Sequence, residues 1–212
     1  MTNLFIIAYL AVLCCYFVTE TSGKLALRAP NKIVLASMFL VYAIVQFQHY
    51  EFASYHLILM GALFLAWLGD LFLLIDLNRG GDFFLGGNVC FILHHMAAAV
   101  DNGATFADFG WTIPALVAIM LAFVFCAQKF PKVLKLGKMK WPMVLYLTSI
   151  SFHGLMGIAL MLLFPGTPLY VLGVGSLLFW VSDIILTIDH FVIIGNKWIL
   201  RSNSATYFTG LL

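Results

Sequence analysis

Eight apolar stretches, near positions 3–21, 33–50, 56–77, 83–100, 111–128, 141–163, 169–190 and 197–212, leave this 212-residue chain little choice of solvent. A helix needs about 20 mostly apolar residues to cross hydrocarbon, and most of the stretches come close to that. Composition agrees: 63% of the residues are hydrophobic and 9% charged, whereas a soluble domain carries about 25% charged residues. In lipid every backbone N–H and C=O must pair within the segment, which leaves helices or closed barrels. The sequence lacks the two-residue alternation of a barrel strand. The expectation is therefore an all-α integral membrane protein, one transmembrane domain over 1–212 with eight spans. The first stretch has no basic leader and no A-x-A cleavage site, so it is expected to stay as a helix. The connections carry turn chemistry, with NRGGD at 78–82, DNGATFADFG at 101–110 and FPGTP at 164–168.

The charges test the span count. Lys24, Arg28 and Lys32 fall in or beside the first connection and Arg79 in the third. Lys129, Lys132, Lys135, Lys138 and Lys140 fall in the fifth, Lys197 and Arg201 in or beside the seventh. All 11 basic residues thus lie on one side of an eight-span arrangement. By the positive-inside rule that side is cytoplasmic, and both termini are expected on the other. The basic fifth connection also suits contact with anionic headgroups, although setting topology is the simpler role. The four cysteines, Cys14, Cys15, Cys90 and Cys126, show no CxxC spacing and are expected as buried thiols.

One pattern recurs inside the chain. FLAWLGDLFLLID at 64–76 returns as LLFWVSDIILTID at 177–189, so that Trp67, Asp70 and Asp76 match Trp180, Asp183 and Asp189. Subtracting 67 from 180, 70 from 183 and 76 from 189 gives 113 each time. The offset maps the third span on the seventh, and Pro30 and Pro142 stand near the starts of the second and sixth. Two parallel four-helix halves are expected.

Charged groups at membrane depth cost about 2.5–3.5 kcal/mol each and turn toward the bundle interior. Of nine acids, Glu20, Glu51, Asp82, Asp101 and Asp108 belong to span ends or loops, and Asp76 and Asp189 to helix ends. Only Asp70 and Asp183 lie well inside spans, each on the order of 20 Å from the outer end at about 1.5 Å per residue. The fourth span adds Asn88 and His95 on one face, Gly87 and His94 on the next, and Gly86 and Gly87 as gaps for a neighbouring backbone or a ligand. His153 lies at a similar depth in the sixth span, and Ser182 precedes Asp183. His49, His56 and His190 stand at span ends and are given no role. Lone histidines, Asn88 and Ser182 also serve as interhelical hydrogen-bond partners, and Trp67 and Trp180 as packing. Two carboxyls matched in depth and context are harder to read as glue. Close together in an apolar site they do not ionise together, and such a pair divides acid and base duties. No GxSxG, HExxH or phosphate loop is present.

At these residues the chain resembles the YhhN (lysoplasmalogenase) family of eight-span membrane proteins. Gly69-Asp70 matches the family's third-span Gly-Asp. Gly87, Phe91 and His95 match its Gly, Phe, His at four-residue steps in the fourth span. Gly175, Phe179, Ser182 and Asp183 match its Gly-x-x-x-Phe-x-x-Ser-Asp run in the seventh. The chain departs at Asp189-His190-Phe191, where the family often has Asn-Arg-Phe. In the last helix Tyr207, Phe208 and Gly210 fit, but Leu211 stands where a Gln is common. The resemblance implies hydrolysis of the vinyl ether bond of a lysoplasmalogen, or a related single-chain lipid, to a fatty aldehyde and a glycerophospho-base. It implies no cofactor. The acid–base reading predicts no metal, and the expected partners are the lysophospholipid-like substrate and membrane lipids, with no nucleic acid. A bacterial inner membrane is the expected location, with the endoplasmic reticulum membrane as the alternative.

Protonation of a vinyl ether at carbon needs an acid, an anion near the oxocarbenium ion, and water. Asp70 and Asp183 are expected to divide those tasks, His95 to relay a proton, and Ser182 and Asn88 to support by hydrogen bonding. Gly69, Gly87, Phe91, Trp67, Trp180 and Tyr207 are expected around the substrate. Two other readings remain at this point. One is a zinc-dependent hydrolase of the ceramidase and adiponectin-receptor type, using His95, His153 and one Asp. The other is a small proton-coupled transporter.

Overall fold

The computed structural model describes residues 2–22, 24–47 and 53–212; His49 and Glu51 lie outside the described residues. Eight α-helices follow in order: α1 Thr2–Glu20, α2 Leu25–Phe47, α3 Tyr55–Leu73, α4 Leu77–Asp101, α5 Thr112–Lys129, α6 Lys140–Leu163, α7 Pro168–Phe191 and α8 Lys197–Leu211. Short 3-10 turns at Phe106–Phe109 and Gly137–Met139 lead into α5 and α6. Among the described residues there is no strand. Among the described residues six segments are long and apolar enough to cross a membrane: α2, α3, α4, α6, α7, and α5 together with the turn before it. Helix α1 adds a shorter apolar stretch, Leu4–Glu20. At 15 residues, α8 is about 22 Å long, short of the roughly 30 Å hydrocarbon layer.

Neighbouring helices form a closed ring, α1–α2–α3–α4–α6–α7–α8, with α8 returning to α1 and α5 packed outside on α6. The lipid-like exterior is clearest on α5, where Val117, Leu121 and Phe125 stand exposed at four-residue steps. The interior is densest along α4 and α6. Between α7 and α8 the backbones meet at Gly175 and Gly210; a Cβ on either would come within 2.6–2.7 Å of the other's carbonyl oxygen.

Several boundaries differ from the sequence expectation, for local reasons. The second span begins at Leu25 rather than 33, so Pro30 sits inside α2 and Arg28 and Lys32 are helical residues, not loop ones. The fourth begins at Leu77 rather than 83, and NRGGD is its first turns. Asp76 is the N-cap: its Oδ1 accepts from the N–H groups of Asn78 (2.7 Å) and Arg79 (3.2 Å). Gly80 is there for packing rather than for a turn, since a Cβ would meet Leu73 at 2.6 Å. The cysteines are not buried: Cys14 and Cys15 are exposed and Cys90 and Cys126 half-buried, all as free thiols. On a bundle this thin, small apolar side chains face hydrocarbon as readily as the interior.

Candidate functional site

Helix α3 ends and α4 starts on the side of the basic connections, and there the ring encloses a cavity of about 330 Å³. Asp70 and Asp183 both line it. Asp70 is 1% and Asp183 4% exposed, which answers where two acids in apolar runs go: inward, into one chamber. Their partners differ. Asp70 Oδ1 pairs with Lys32 Nζ at 3.0 Å, and its Oδ2 accepts from Tyr207 Oη at 2.7 Å. Asp183 Oδ2 accepts from Tyr146 Oη at 2.5 Å, and among the described residues it has no ion-pair partner. Asp70 is thus held by a cation, and Asp183 by a phenol.

Lys32, Tyr146, Glu20, Arg28 and Asp189 are the residues that sequence reasoning missed. Lys32 counts by position as a topology charge, yet it is buried together with Leu35, Ala36 and Phe39. That i, i+3, i+4, i+7 spacing is one helix face, and reading it would have turned Lys32 inward. Glu20, expected at a span end, is buried and accepts from Ser204 Oγ at 2.5 Å. Asp189, at the end of α7, is buried as well. Glu20, Arg28, Lys32 and Asp189 all line the same chamber.

A second cavity of about 410 Å³ adjoins the first and shares the walls Leu73, Leu77, Phe84, Leu186 and His190. Its lining is mostly apolar, and the exposed Trp141 and Leu145 stand at it on α6. Tyr146 belongs to this apolar cavity and its bonded partner Asp183 to the polar one. The Tyr146–Asp183 hydrogen bond therefore marks the boundary between a charged chamber and a greasy one.

The remaining expected site residues divide between support for this site and a separate cluster. Gly69 makes room for Phe84, whose ring a Cβ would meet at 2.7 Å. Gly87 faces α3, not a ligand, and a Cβ there would stand 3.4 Å from Ala62 O, an ordinary contact. Ser182 Oγ donates to Phe179 O at 2.8 Å. Trp67 Nε1 donates to Ser37 Oγ on α2 at 3.1 Å, and Trp180 covers Gly154 on α6. Both indoles brace the preceding helix rather than line the charged chamber.

His95, Asn88, Phe91 and His153 form the separate cluster. His95 Nε2 and Ser176 Oγ are 2.6 Å apart. Ser176 donates its own proton to Leu172 O at 2.9 Å, so His95 Nε2 is the donor to Ser176. His153 Nδ1 lies 3.3 Å from Asn88 Oδ1, and Asn88 Nδ2 donates to Ser149 Oγ at 3.4 Å. Phe91 stacks on His153 with ring centroids 4.8 Å apart. Phe84, Phe179 and Tyr207 touch one another at centroid distances of 5.3–6.2 Å, and Phe179 also meets Phe91 and His153. These rings form a partition between the histidines and the carboxylates. His95 is not brought to the charged chamber. Among the described residues no group of three or more His, Cys, Asp and Glu converges as a metal site.

The contacts of the two aspartates are alike in one respect. Each aspartate is bonded from the helix before it, Lys32 on α2 to Asp70 on α3 and Tyr146 on α6 to Asp183 on α7. The two partners themselves fall within one residue of the 113-residue offset.

A family model described as the YhhN family matches residues 27–212. No curated protein matches, and no solved structure does. The match covers most of the chain, and the chain belongs to the YhhN family.

Proposed function

We propose that this protein is a membrane-embedded hydrolase that cleaves the vinyl ether bond of a lysoplasmalogen or a related single-chain lipid. The observation that carries the reading is the pair of adjoining cavities, one charged and one apolar, with both aspartates in the first and the Asp183–Tyr146 bond at the boundary. A single-chain phospholipid has the same division. Its headgroup suits the charged chamber, its hydrocarbon chain the apolar one, and its ether bond falls between them. Family membership supports a hydrolytic role.

In the proposed scheme Asp183 is the acid. It is buried and, among the described residues, has no cation beside it, which suits a carboxyl that carries its proton. It gives that proton to the outer carbon of the O–CH=CH unit, and positive charge spreads over the ether oxygen and its carbon. Asp70 supplies the facing negative charge. Lys32 and Tyr207 keep it ionised and fixed before the reaction begins, so little reorganisation is needed as charge develops. Water then adds to the cationic carbon and returns a proton to Asp183. The hemiacetal collapses to aldehyde, with its hydroxyl proton moving to the departing glycerol oxygen. His95 enters only through the aromatic partition that its cluster helps to pack.

The experiment is product analysis by mass spectrometry after incubation of the purified protein with a lysoplasmalogen and, separately, with its ester analogue. Fatty aldehyde from the first and no fatty acid from the second is the expected result. Fatty acid from the ester would point to a lipase-like site and overturn the scheme. The membrane orientation in this reading puts the charged chamber on the cytoplasmic side, where the basic connections lie.

A further inference from the structure

The charged chamber holds more polar groups than the scheme uses. Lys32 is spent on Asp70. Beyond it, three buried atoms have no hydrogen-bond partner among the described residues: Nε of Arg28, Oε2 of Glu20 and Oδ1 of Asp189. Glu20 and Asp189 are 7% and 6% exposed. All three side chains line the cavity that holds the two aspartates. Buried polar atoms without partners are rare and call for an occupant. One guanidinium donor and two carboxylate acceptors lining one cavity are the complement of a group that carries an anion and an N–H cation together.

The positions along the chain fit such a group. Arg28 precedes Lys32 by one helical turn on α2, about 6 Å nearer the connections. In a glycerophospholipid the phosphorus lies about five bonds from the ether oxygen, a span of roughly 6 Å. A lipid whose ether bond lies near Asp70 therefore carries its phosphate past Lys32 to Arg28. Glu20 on α1 and Asp189 on α7 stand at the same end, where the amine beyond the phosphate would arrive.

We propose that this mouth is a receptor for a zwitterionic phosphoamine headgroup. Arg28 takes the phosphate, and Glu20 with Asp189 takes the ammonium. The free groups are carboxylate oxygens, which want N–H donors, so a primary ammonium is preferred to a trimethylammonium, which has none. Arginine is the side chain best shaped to hold phosphate by paired N–H bonds. The proposal rests on the reading that the cavity takes a single-chain lipid, but not on turnover.

The test uses 1-O-alkyl lipids, which lack the vinyl group, bound to the full chain in detergent or nanodiscs. Displacement of a fluorescent lysolipid ranks an alkyl-glycerophosphoethanolamine, the matching choline lipid and the phosphate-free alkylglycerol. The ethanolamine lipid is expected to bind about tenfold tighter than the choline lipid and about a hundredfold tighter than the alkylglycerol, as charge-assisted hydrogen bonds warrant. Arg28→Gln is expected to cut the phosphate advantage to about threefold or less. Glu20→Gln and Asp189→Asn are each expected to erase the preference for the primary amine; Asp189→Asn serves should loss of the Glu20–Ser204 bond unfold the first. Equal binding of the three lipids, or an advantage unchanged by Arg28→Gln, overturns the proposal. The outcomes also separate it from the hydrolase reading: headgroup-selective binding without aldehyde release counts against hydrolysis alone, and aldehyde release at equal rates from all headgroups counts against the receptor alone.

Discussion

Replacing Lys32 by Met tests whether the Lys32–Asp70 pair is a structural ion pair or merely a surface charge near a span end. The two groups stand 3.0 Å apart. At an effective dielectric constant of about 20 that separation corresponds to a gross attraction of about 5.5 kcal/mol. Most of it offsets the cost of taking both charges out of water. Lys32 is 8% and Asp70 1% exposed, so removing one partner leaves the other charged, buried and without its ion pair. Such a break costs about 3–5 kcal/mol. Lys32→Met should lower stability by that amount, and Asp70→Asn by a similar amount. The double variant Lys32→Met/Asp70→Asn leaves neither member of the pair charged and unpartnered and should lose less than the sum, with a coupling of about 3 kcal/mol. Equilibrium unfolding in mixed micelles measures all four proteins. Turnover supplies an independent readout: the double variant regains stability but not activity, because the anion that faces the developing cation is absent. Losses that add to within about 0.5 kcal/mol would refute the pairing, and so would full activity in the double variant.

Four further outcomes follow from the same geometry. Asp183→Asn should lower kcat by about 10²–10⁴, the range for a lost general acid, and Tyr146→Phe by less, both with the fold intact by circular dichroism. Gly69→Ala forces a methyl into the Phe84 ring and should destabilise by about 1–3 kcal/mol, whereas Gly87→Ala meets only ordinary contacts and should stay within about 0.5 kcal/mol; thermal unfolding compares them. Leu85→Trp, which fills the apolar cavity, should shift chain-length preference downward by about two methylenes, at about 0.8 kcal/mol each, in competition assays on mixed-chain substrate. In a cysteine-free background, a cysteine at Asp108 should react with an impermeant maleimide from outside the cell, and one at Lys135 only after permeabilisation, if the basic connections are cytoplasmic.

The helices were legible because apolar length is written plainly along the chain. Their ends were not, because a cap outweighs composition: with Asp76 as its cap, α4 starts six residues before the apolar stretch does. The two aspartates were legible because a charge in an apolar run has few places to go. Their partners were harder. Tyr146 looks like any interior aromatic until α6 and α7 are packed side by side. Lys32 was hidden by its position, since a basic residue near a span end satisfies the charge rule equally well from a loop or from a buried face. That the fourth-span histidines could serve as partners between helices was legible, but not that Phe84, Phe179 and Tyr207 would stand between them and the carboxylates. That separation depends on how three helices meet, which no single stretch of sequence encodes. The tryptophans, matched at the 113-residue offset in the sequence, turned out to brace neighbouring helices, a task that needs the same residue at the same place as much as catalysis does.

The account stands most directly on the fate of a proton. The purified protein is incubated with a lysoplasmalogen in heavy water, and the aldehyde is trapped at once by reduction and weighed by mass spectrometry. A single deuterium is expected on the carbon next to the former aldehyde carbon, with product from Asp70→Asn and from Asp183→Asn cut by about 10² or more. Undiminished turnover in both variants, or an aldehyde without that deuterium, would contradict it.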